Sequence, residues 1–381
     1  MNAQSDRRRE ISVEPVEPDY GEGSASGEQG KGFWSLPERV YRGDSRWIPP
    51  PAGALERELA APKVAGRQRL LQARVGQTVV ARVVARMSDL MDEGGHPLGL
   101  LGAFEALDEP EAVARLLDEG CAWLAEQGCR RAVGPMDRDT WHAHRCNAGP
   151  WSHPPFLLEP YNPPSYPSLW CANGFEVLAS YSSYRVEDLA AGAEATAKSA
   201  EAATAAGYRL RRLRLDDFDV ELDRLYELSR RIFQDNFLYT PISRQEFRSL
   251  YAAARPLVDP HLVLFAESPE AEPVGFLFAY PNLFAAVRAV RRWPGVLGKL
   301  AFLWRRREAR EVNFKTLGVL SEHRRSRVGG ALLHGLYRAA QAGGFSAANL
   351  CLIRDGNPSE NFTGGGELLR RYHLYVRKLS P

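Results

Sequence analysis

The most constraining stretch of this chain is Leu317-Gly-Val-Leu-Ser-Glu-His-Arg-Arg-Ser-Arg-Val-Gly-Gly-Ala-Leu-Leu333. An apolar strand runs into a short basic turn, and the turn runs directly into a helix that opens on two glycines. Few folds tolerate that order. The strand needs a sheet, the helix has to pack back over it, and the turn stands at a helix N-terminus, where unpaired N–H groups and the helix dipole favour an anion. Small residues let a phosphate approach the backbone, and neighbouring arginines add charge-assisted contacts. The residues Arg324, Arg325, Ser326, Arg327, Val328, Gly329, Gly330 and Ala331 therefore form a candidate anion-binding turn, with Leu317, Val319 and Leu320 on the strand behind it.

The elements around this segment repeat. In the second half, Tyr208 to Leu215 reads as a strand and Asp217 to Phe233 as an amphipathic helix. A second helix covers Ser243 to Ala254, with Ser243 and Glu246 spaced as a capping box. Runs His261 to Glu267 and Pro273 to Tyr280 form a hairpin; Val312 to Leu320 is a strand, Val328 to Ala342 a helix, Ser346 to Ile353 and Arg371 to Leu379 strands. The first half shows a weaker version: strands at Thr78 to Ala85 and Gly99 to Ala106, a helix from Pro110 to Gln127 stopped by Gly128, a short strand Arg131 to Pro135, a short helix Leu169 to Asn173, and a strand Phe175 to Val186. Between the halves, Ala190 to Ala206 is almost all Ala, Glu, Thr, Gly and Lys and reads as a linker with helical potential. The expected organisation is a disordered tail over 1–30, domains over 31–188 and 207–381, and a linker over 189–206. The fold class is α/β (α+β), with a mixed central sheet flanked by helices in two tandem domains.

The turn and the element order together resemble the GNAT (acyl-CoA N-acyltransferase) superfamily. Its coenzyme A motif runs Arg/Gln-x-x-Gly-x-Gly/Ala. Arg324 matches the first position and Gly329 the last, while Arg327 stands where the middle glycine is usual. Further segments resemble a group of bacterial tandem GNAT proteins: Trp47-Ile48-Pro49-Pro50, Gly102-Ala103-Phe104-Glu105, Gly134-Pro135-Met136, Tyr161-Asn162-Pro163-Pro164-Ser165-Tyr166 and Phe237-Leu238-Tyr239-Thr240-Pro241-Ile242. The likeness covers Phe33 to Leu379.

That resemblance implies transfer of an acetyl or other acyl group from acyl-CoA, as co-substrate, to the amine of a small molecule. The thioester carbonyl needs a donor, for which the backbone at Val319 or Leu320 is the candidate. The family's tyrosine, which protonates the leaving thiolate, has no match in Asn357 to Gly366. Asn357 and Ser359 are the catalytic candidates there. Asp235, Phe237 and Tyr239 are expected to line the acceptor site, with Tyr161, Asn162 and Tyr166 contributed by the N-terminal domain. Glu267, Asp235 and His373 are possible bases. The first half's counterpart of the motif, Leu107-Asp-Glu-Pro-Glu111, carries carboxylates where phosphate would sit, so this domain is expected not to bind coenzyme A but to help form the acceptor pocket. Two other readings stand beside the enzyme: a non-catalytic binding protein, and an aminoacyl-tRNA-dependent transferase whose tRNA is held by the basic segment Arg288 to Arg310.

Charge and cysteines bound the remaining classes. A net charge of +2 gives no global field for nucleic acid. Segment 288–310 reads as a solvated face or mobile loop, or as an anion site. The five cysteines are widely spaced, with no C-x-x-C pair. His142, His144 and Cys146, with Asp137 and Asp139, offer metal-ligand types, but from one segment only, so no metal is expected. No secretory signal or apolar run of membrane length is present. The expectation is a cytoplasmic enzyme with no membrane partner and no nucleic-acid partner.

Overall fold

A computed structural model describes residues 10–17, 28–51, 53–59, 66–293, 295–357, 359–360 and 366–380. The chain divides into two compact units, one comprising Met1–Ala148, Pro160–Ser180 and Tyr372–Pro381, the other Gly149–Glu159 and Tyr181–Arg371. The division differs from linear boundaries at 188 and 207. The C-terminal strand crosses into the first unit, and a loop of the first half belongs to the second.

The first unit is built on β1 (Ile11–Val16), α1 (Glu28–Val40), α2 (Ala54–Leu59), β2 (Gln68–Val75), β3 (Thr78–Met91), β4 (Pro97–Ala106), α3 (Pro110–Glu126), β5 (Arg131–Gly134), β6 (Cys146–Gly149) and α4 (Tyr166–Ala172). β1 to β4 run antiparallel in order, and β4 and β5 are parallel. Alternate residues of β2 and β3 face opposite sides, and both sides are covered. Leu71, Val83 and Ala85 join Leu116, Leu117, Cys121 and Leu124 of α3 in one core. Leu70 and Val84 meet Phe33 and Leu59 from α1 and α2 in another. Double coverage explains why eight consecutive residues of β3, Val79–Arg86, are buried, with Arg82 and Arg86 among them.

β1 corrects the reading of 1–30 as disordered. Ile11 to Val16 pairs with Val75 to Leu70, and Val16 is buried. Its short alternating pattern is hidden among charged, Ser- and Gly-rich neighbours. Residues 1–9 and 18–27 lie outside the described residues.

The second unit takes up β7 (Glu176–Val186), whose C-terminal half lies in it. It continues with α5 (Leu189–Ala205), β8 (Arg209–Arg212), α6 (Phe218–Phe233), α7 (Arg244–Tyr251), β9 (Val263–Glu267), β10 (Pro273–Pro281), α8 (Phe284–Arg292), α9 (Val296–Arg305), β11 (Glu311–Val319), α10 (Val328–Ala342), β12 (Ala347–Arg354) and the start of β13 (Glu367–Lys378). Its sheet runs β7-β12-β11-β10-β9-β8, antiparallel except for the pair β11 and β12. The Ser243 hydroxyl caps α7 by accepting the Glu246 N–H at 3.2 Å, as the spacing predicts.

The segment read as a linker is the ordered helix α5, packed along α10. An added Cβ at Gly192 would stand 2.8 Å from the Tyr337 ring, and one at Gly330 would stand 2.6 Å from Ser199 Cβ. The Ala, Gly, Ser and Thr content that suggested a spacer is what lets two helices approach this closely. Segment 288–310 is likewise structured, as α8 and α9.

A buried ion pair fastens the Gly149–Glu159 loop. Arg370, at the start of β13, donates to Glu159 at 2.5 Å and to the Pro150, His153 and Pro154 carbonyls at 2.8–3.0 Å. Both side chains are almost fully excluded from solvent. Removing one partner strands the other charge. Arg370→Met is expected to cost about 3–5 kcal/mol in urea unfolding, and the double change Arg370→Met with Glu159→Leu to recover much of that loss. A double variant no more stable than the single one would show that the pair is not what holds the loop.

Candidate functional site

The parallel strands β11 and β12 part company within the sheet. Their pairing covers Glu311–Phe314 against Ala347–Leu350 and stops there, although β11 continues to Val319 and β12 to Arg354. The reason lies in two irregularities at the same level. On β11 the register against β10 shifts at Lys315, which has no opposite residue: Ala279 faces Phe314 and Phe278 faces Thr316. On β12, Cys351 and Leu352 together oppose Ser183; Leu352 has φ +60 and donates its N–H to Ser183 Oγ at 2.9 Å. An inserted residue bends its strand and raises its twist, so two such bends at one level open a gap between the parallel neighbours.

The backbone facing that gap follows from the ladder. Opposite residues of an antiparallel pair alternate between hydrogen-bonded and non-bonded. Leu320 N–H donates to the Val274 carbonyl at 2.9 Å, so the next pairs in register, Val319 with Gly275 and Leu317 with Leu277 after one alternation, are the non-bonded kind. The N–H and C=O groups of Leu317 and Val319 therefore point away from β10, towards the gap. Leu320, the other candidate for polarising a carbonyl, has its N–H committed to β10. Lys315, Thr316 and Leu317 are half-buried, as befits strand residues beside open space.

At the head of the gap, residues Ser321–Ser326 form a 3₁₀ turn that leads into α10. The turn is braced by the residue just before β8: the Tyr208 hydroxyl lies 2.8 Å from His323 Nδ1 and 2.9 Å from Ser326 Oγ. Arg324 donates through Nε to the Val319 carbonyl at 3.3 Å. Arg327 occupies the left-handed region (φ +63, ψ 6) and caps α10 without a side-chain hydrogen bond. That conformation explains why glycine is the usual residue there, since a Cβ costs about 1 kcal/mol in it. The first intrahelical bond from this turn is Ala331 N–H to Arg327 O. The N–H groups of Val328, Gly329 and Gly330 thus have no partner within the helix.

The flanking residues fall on two loops of the same unit. The end of α6 lies against β11: a Cβ on Gly318 would meet the Ile232 side chain at 2.8 Å. From the following loop, Phe237 reaches the Arg354 guanidinium, 4.5 Å from its ring centroid, at the far end of β12. Tyr239 is half-buried and its hydroxyl is pushed above its usual pKa by burial, whereas Asp235 is exposed. After β12, Asn357 Oδ1 accepts the Ser359 N–H at 2.9 Å, so Asn357 shapes the turn that carries Ser359. Of the possible bases, Glu267 is held by Arg211 at 2.6 Å, and His373 lies 3.1 Å from Ser180 Oγ in the first unit.

The corresponding gap in the first unit is filled. β4 and β5 pair only at Gly99–Ala132 and Leu100–Val133. Past that point the chain itself closes in. Met136 N–H reaches the Leu101 carbonyl at 2.9 Å, and Asp137 accepts the Ala103 N–H at 2.7 Å. A Cβ on Gly102 would meet Asp137 Cα at 2.5 Å. A carboxylate of the chain occupies the place that Val319 leaves open in the second unit.

Around this plug lies a buried polar cluster centred on Glu105, a residue that is not among the site candidates read from the sequence. The Tyr166 hydroxyl donates to Glu105 at 2.8 Å, and Tyr41 reaches the other oxygen at 3.4 Å. Burial pushes the Glu105 carboxyl up to about 7, against the opposing charge of Arg82. Asp137 is likewise raised by burial. Tyr166 and Asn162 are buried, Asn162 holding the Asn147 backbone at 2.7 and 3.1 Å. The Tyr161 hydroxyl bonds Asp44. These expected acceptor-site residues are thus tied into the first unit's own bonds. The available signal was a lone glutamate in an apolar strand, Gly102-Ala-Phe-Glu105. Nearby, Asp139 accepts from Trp141 N–H at 2.8 Å and lies 2.7 Å from His142 Nδ1. Among the described residues, no group of three or more His, Cys, Asp or Glu is arranged to hold a metal.

No protein-family model matches the chain. Two curated bacterial proteins do. It is 24% identical over 366 residues to Protein YghO of Escherichia coli, covering 92% of this chain and 93% of the relative. It is 23% identical over 367 residues to the bacterial ceramide synthase of Caulobacter vibrioides, covering 92% and 94%. Among solved structures, 97% of the chain superposes on a GCN5-related glucosamine N-acetyltransferase region of a fungal multi-domain beta-N-acetylglucosaminidase, with TM-score 0.50 and 12% identity. The chain spans 38% of that longer protein.

The buried Glu105 gives the first unit a pH signature. Its folded pKa of about 7 exceeds the reference 4.5, so the folded state keeps the proton as the unfolded state loses it. Stability is therefore expected to fall as pH rises from about 4.5 through 7. Glu105→Gln should flatten that slope in urea midpoints measured at pH 5 and pH 8; equal slopes in the two proteins would assign the pH dependence elsewhere.

Proposed function

We propose that this chain, whose fold is that of the GCN5-related N-acetyltransferases, moves an acyl group from an acyl-CoA thioester to the amine of a small molecule. One observation supports this above the others. The parallel strands β11 and β12 part, and the N–H groups of Leu317 and Val319 face the gap beneath a helix N-terminus that carries no side-chain cap bond.

The residues present suit an acyl-CoA. The N–H groups of Val328, Gly329 and Gly330, with Arg324, Arg325, Ser326 and Arg327 around them and Ala331 behind, would hold its diphosphate. The bound thioester supplies the electrophilic carbonyl. Val319 N–H is the proposed donor to that carbonyl oxygen as negative charge builds on it. The amine forms the C–N bond as the C–S bond breaks; it loses one proton, and the sulfur gains one to leave as the free thiol. Ser359, on the turn shaped by Asn357, is the proposed donor on the thiol side. Asp235, Phe237 and Tyr239 are the proposed acceptor wall.

A ceramide is the amide of a long-chain amino alcohol. The relative with that activity in its name therefore puts a long-chain amino alcohol first among the acceptors to be tried, ahead of short amines.

Calorimetric titration with acetyl-CoA and with a long-chain acyl-CoA tests the site. At least one is expected to bind, and Arg324→Glu and Gly329→Asp each to weaken it about 10- to 100-fold, the range for a lost charge-assisted contact. No heat from either ligand at millimolar concentration would sink the proposal. Amide formation followed by mass spectrometry then separates the readings. Binding without any amide product would make the chain a non-catalytic binder. Filter retention of tRNA that is lost at high salt would favour the tRNA-dependent transferase.

A further inference from the structure

We infer that the α8–α9 hairpin is a docking element that lies on an anionic lipid surface. The inference stands on this hairpin alone and is independent of the acyltransfer proposal.

The hairpin has two apolar sides. One faces inward: Leu283 and Ala286 are buried with Tyr280 and Leu157, and Phe284, Val287 and Phe302 pack against them. The other faces solvent. Trp293, Val296, Leu297, Leu300, Leu303 and Trp304 are 51–72% exposed. Of the twelve large apolar residues exposed among the described residues, these six fall within Trp293–Trp304. On α9, Val296, Leu297, Leu300, Leu303 and Trp304 recur at i, i+1, i+4, i+7 and i+8, which gathers them into one stripe. Scattered exposed apolar residues need no explanation, but a contiguous stripe rimmed by charge marks an interaction surface. A tight turn fixes the stripe's placement: a Cβ at Gly298 would collide with the Trp293 carbonyl oxygen.

Charge selects the occupant. Between Phe284 and Arg310 the sequence carries eight basic residues and one acidic, Glu308, in a chain whose net charge is only +2. Arg288, Arg291, Lys299, Arg306, Arg307 and Arg310 are exposed. The one acidic group is paired with Arg305 at 3.2 Å, and the Arg305 guanidinium lies 5.3 Å from the centroid of the Trp304 ring. An apolar stripe with tryptophan at each end and arginine and lysine around it has the chemistry of a helix lying in the interface of a bilayer. The indole rings sit at headgroup depth, and the long basic side chains reach anionic phosphates. A nucleic acid would use the arginines but not the four aliphatic side chains of α9. Crossing is excluded by length: α9 covers Val296–Arg305, about 15 Å at 1.5 Å per residue, against a hydrocarbon core of about 30 Å. Among the described residues no helix is long and apolar enough to span; lying on a surface needs no span.

Flotation of the full chain with vesicles tests this, using phosphatidylcholine alone and phosphatidylcholine containing about one-third phosphatidylglycerol. Partition into the anionic vesicles is expected to exceed that into the neutral ones by at least about tenfold, and tryptophan emission to shift to the blue. At about 1 kcal/mol for each basic residue near the surface, Arg306→Ala with Arg307→Ala should lower partition about 25-fold. Leu297→Asp with Leu300→Asp should abolish it without moving the urea midpoint, since both side chains are already in solvent. Should the aspartate pair unfold the chain, brominated lipid decides: quenching of tryptophan emission supports the docking, and its absence overturns it. The inference also fails if the aspartate variant floats like wild type, or if neutral and anionic vesicles bind equally. It fails as well if a tRNA transcript binds more tightly than vesicles and is lost only on removing the arginines. A dimer by light scattering that Leu297→Asp dissolves, with no vesicle binding, would assign the stripe to a second copy of the chain.

Discussion

The candidate site of the second unit depends on one backbone event, the failure of β11 and β12 to stay paired beyond Phe314 and Leu350. A parallel pair inside a sheet normally satisfies both edges of both strands. Here an unmatched residue at Lys315 and a left-handed residue at Leu352 turn the two strands apart at one level. The consequence is a set of main-chain donors and acceptors inside a folded unit without a strand to answer them. Such groups carry a desolvation cost unless water or a ligand meets them. The first unit supplies the contrast: its equivalent parallel pair also ends early, but Asp137 answers the Ala103 N–H, and the gap is closed from within.

The paired strands below the gap are held by charge as well as by the ladder. Glu311, at the start of β11, is bonded by Arg185, by Asn349 at 3.0 Å and by Asn282 at 3.1 Å. Burial would raise its pKa, and these bonds outweigh that and hold it below the usual carboxylate range. The same Asn282 accepts the Leu157 N–H at 3.2 Å, so one side chain ties the arginine-fastened loop to the start of β11.

How much of this was legible varied with the physics involved. The helix α10 and its glycine start were readable because local rules set them: an apolar period of 3.6 and small residues at an N-terminus. The capping of α7 by Ser243 was readable for the same reason. The splay was not, because strand bulges at Lys315 and Leu352 follow from pairing across distant segments, and neither residue is a glycine that would advertise positive φ. The strand β1 was missed because six residues of alternation drown in a polar surround. The helix α5 was read as a spacer because small residues serve both flexible linkers and close helix contacts; only its partner, Tyr337 against Gly192, decides between them. Arg327 is a mixed case. The sequence showed a departure from a glycine, and only the backbone shows that this residue adopts the glycine's conformation at a cost of about 1 kcal/mol, placing an exposed cation at the very start of a helix.

The α8–α9 hairpin and the gap lie at opposite ends of one strand. β11 begins at Glu311, directly after the hairpin, and ends at Val319, directly before the basic turn. At about 3.3 Å per residue its ends stand roughly 26 Å apart. Two basic features that look alike in sequence, 288–310 and 324–327, are placed by the fold in different surroundings. One is spread along an exposed apolar stripe and matches an extended anionic surface. The other is concentrated on a helix N-terminus with uncommitted N–H groups and matches a compact anion. What distinguishes them is the company each set of arginines keeps: exposed indole and aliphatic side chains in the first case, bare backbone in the second.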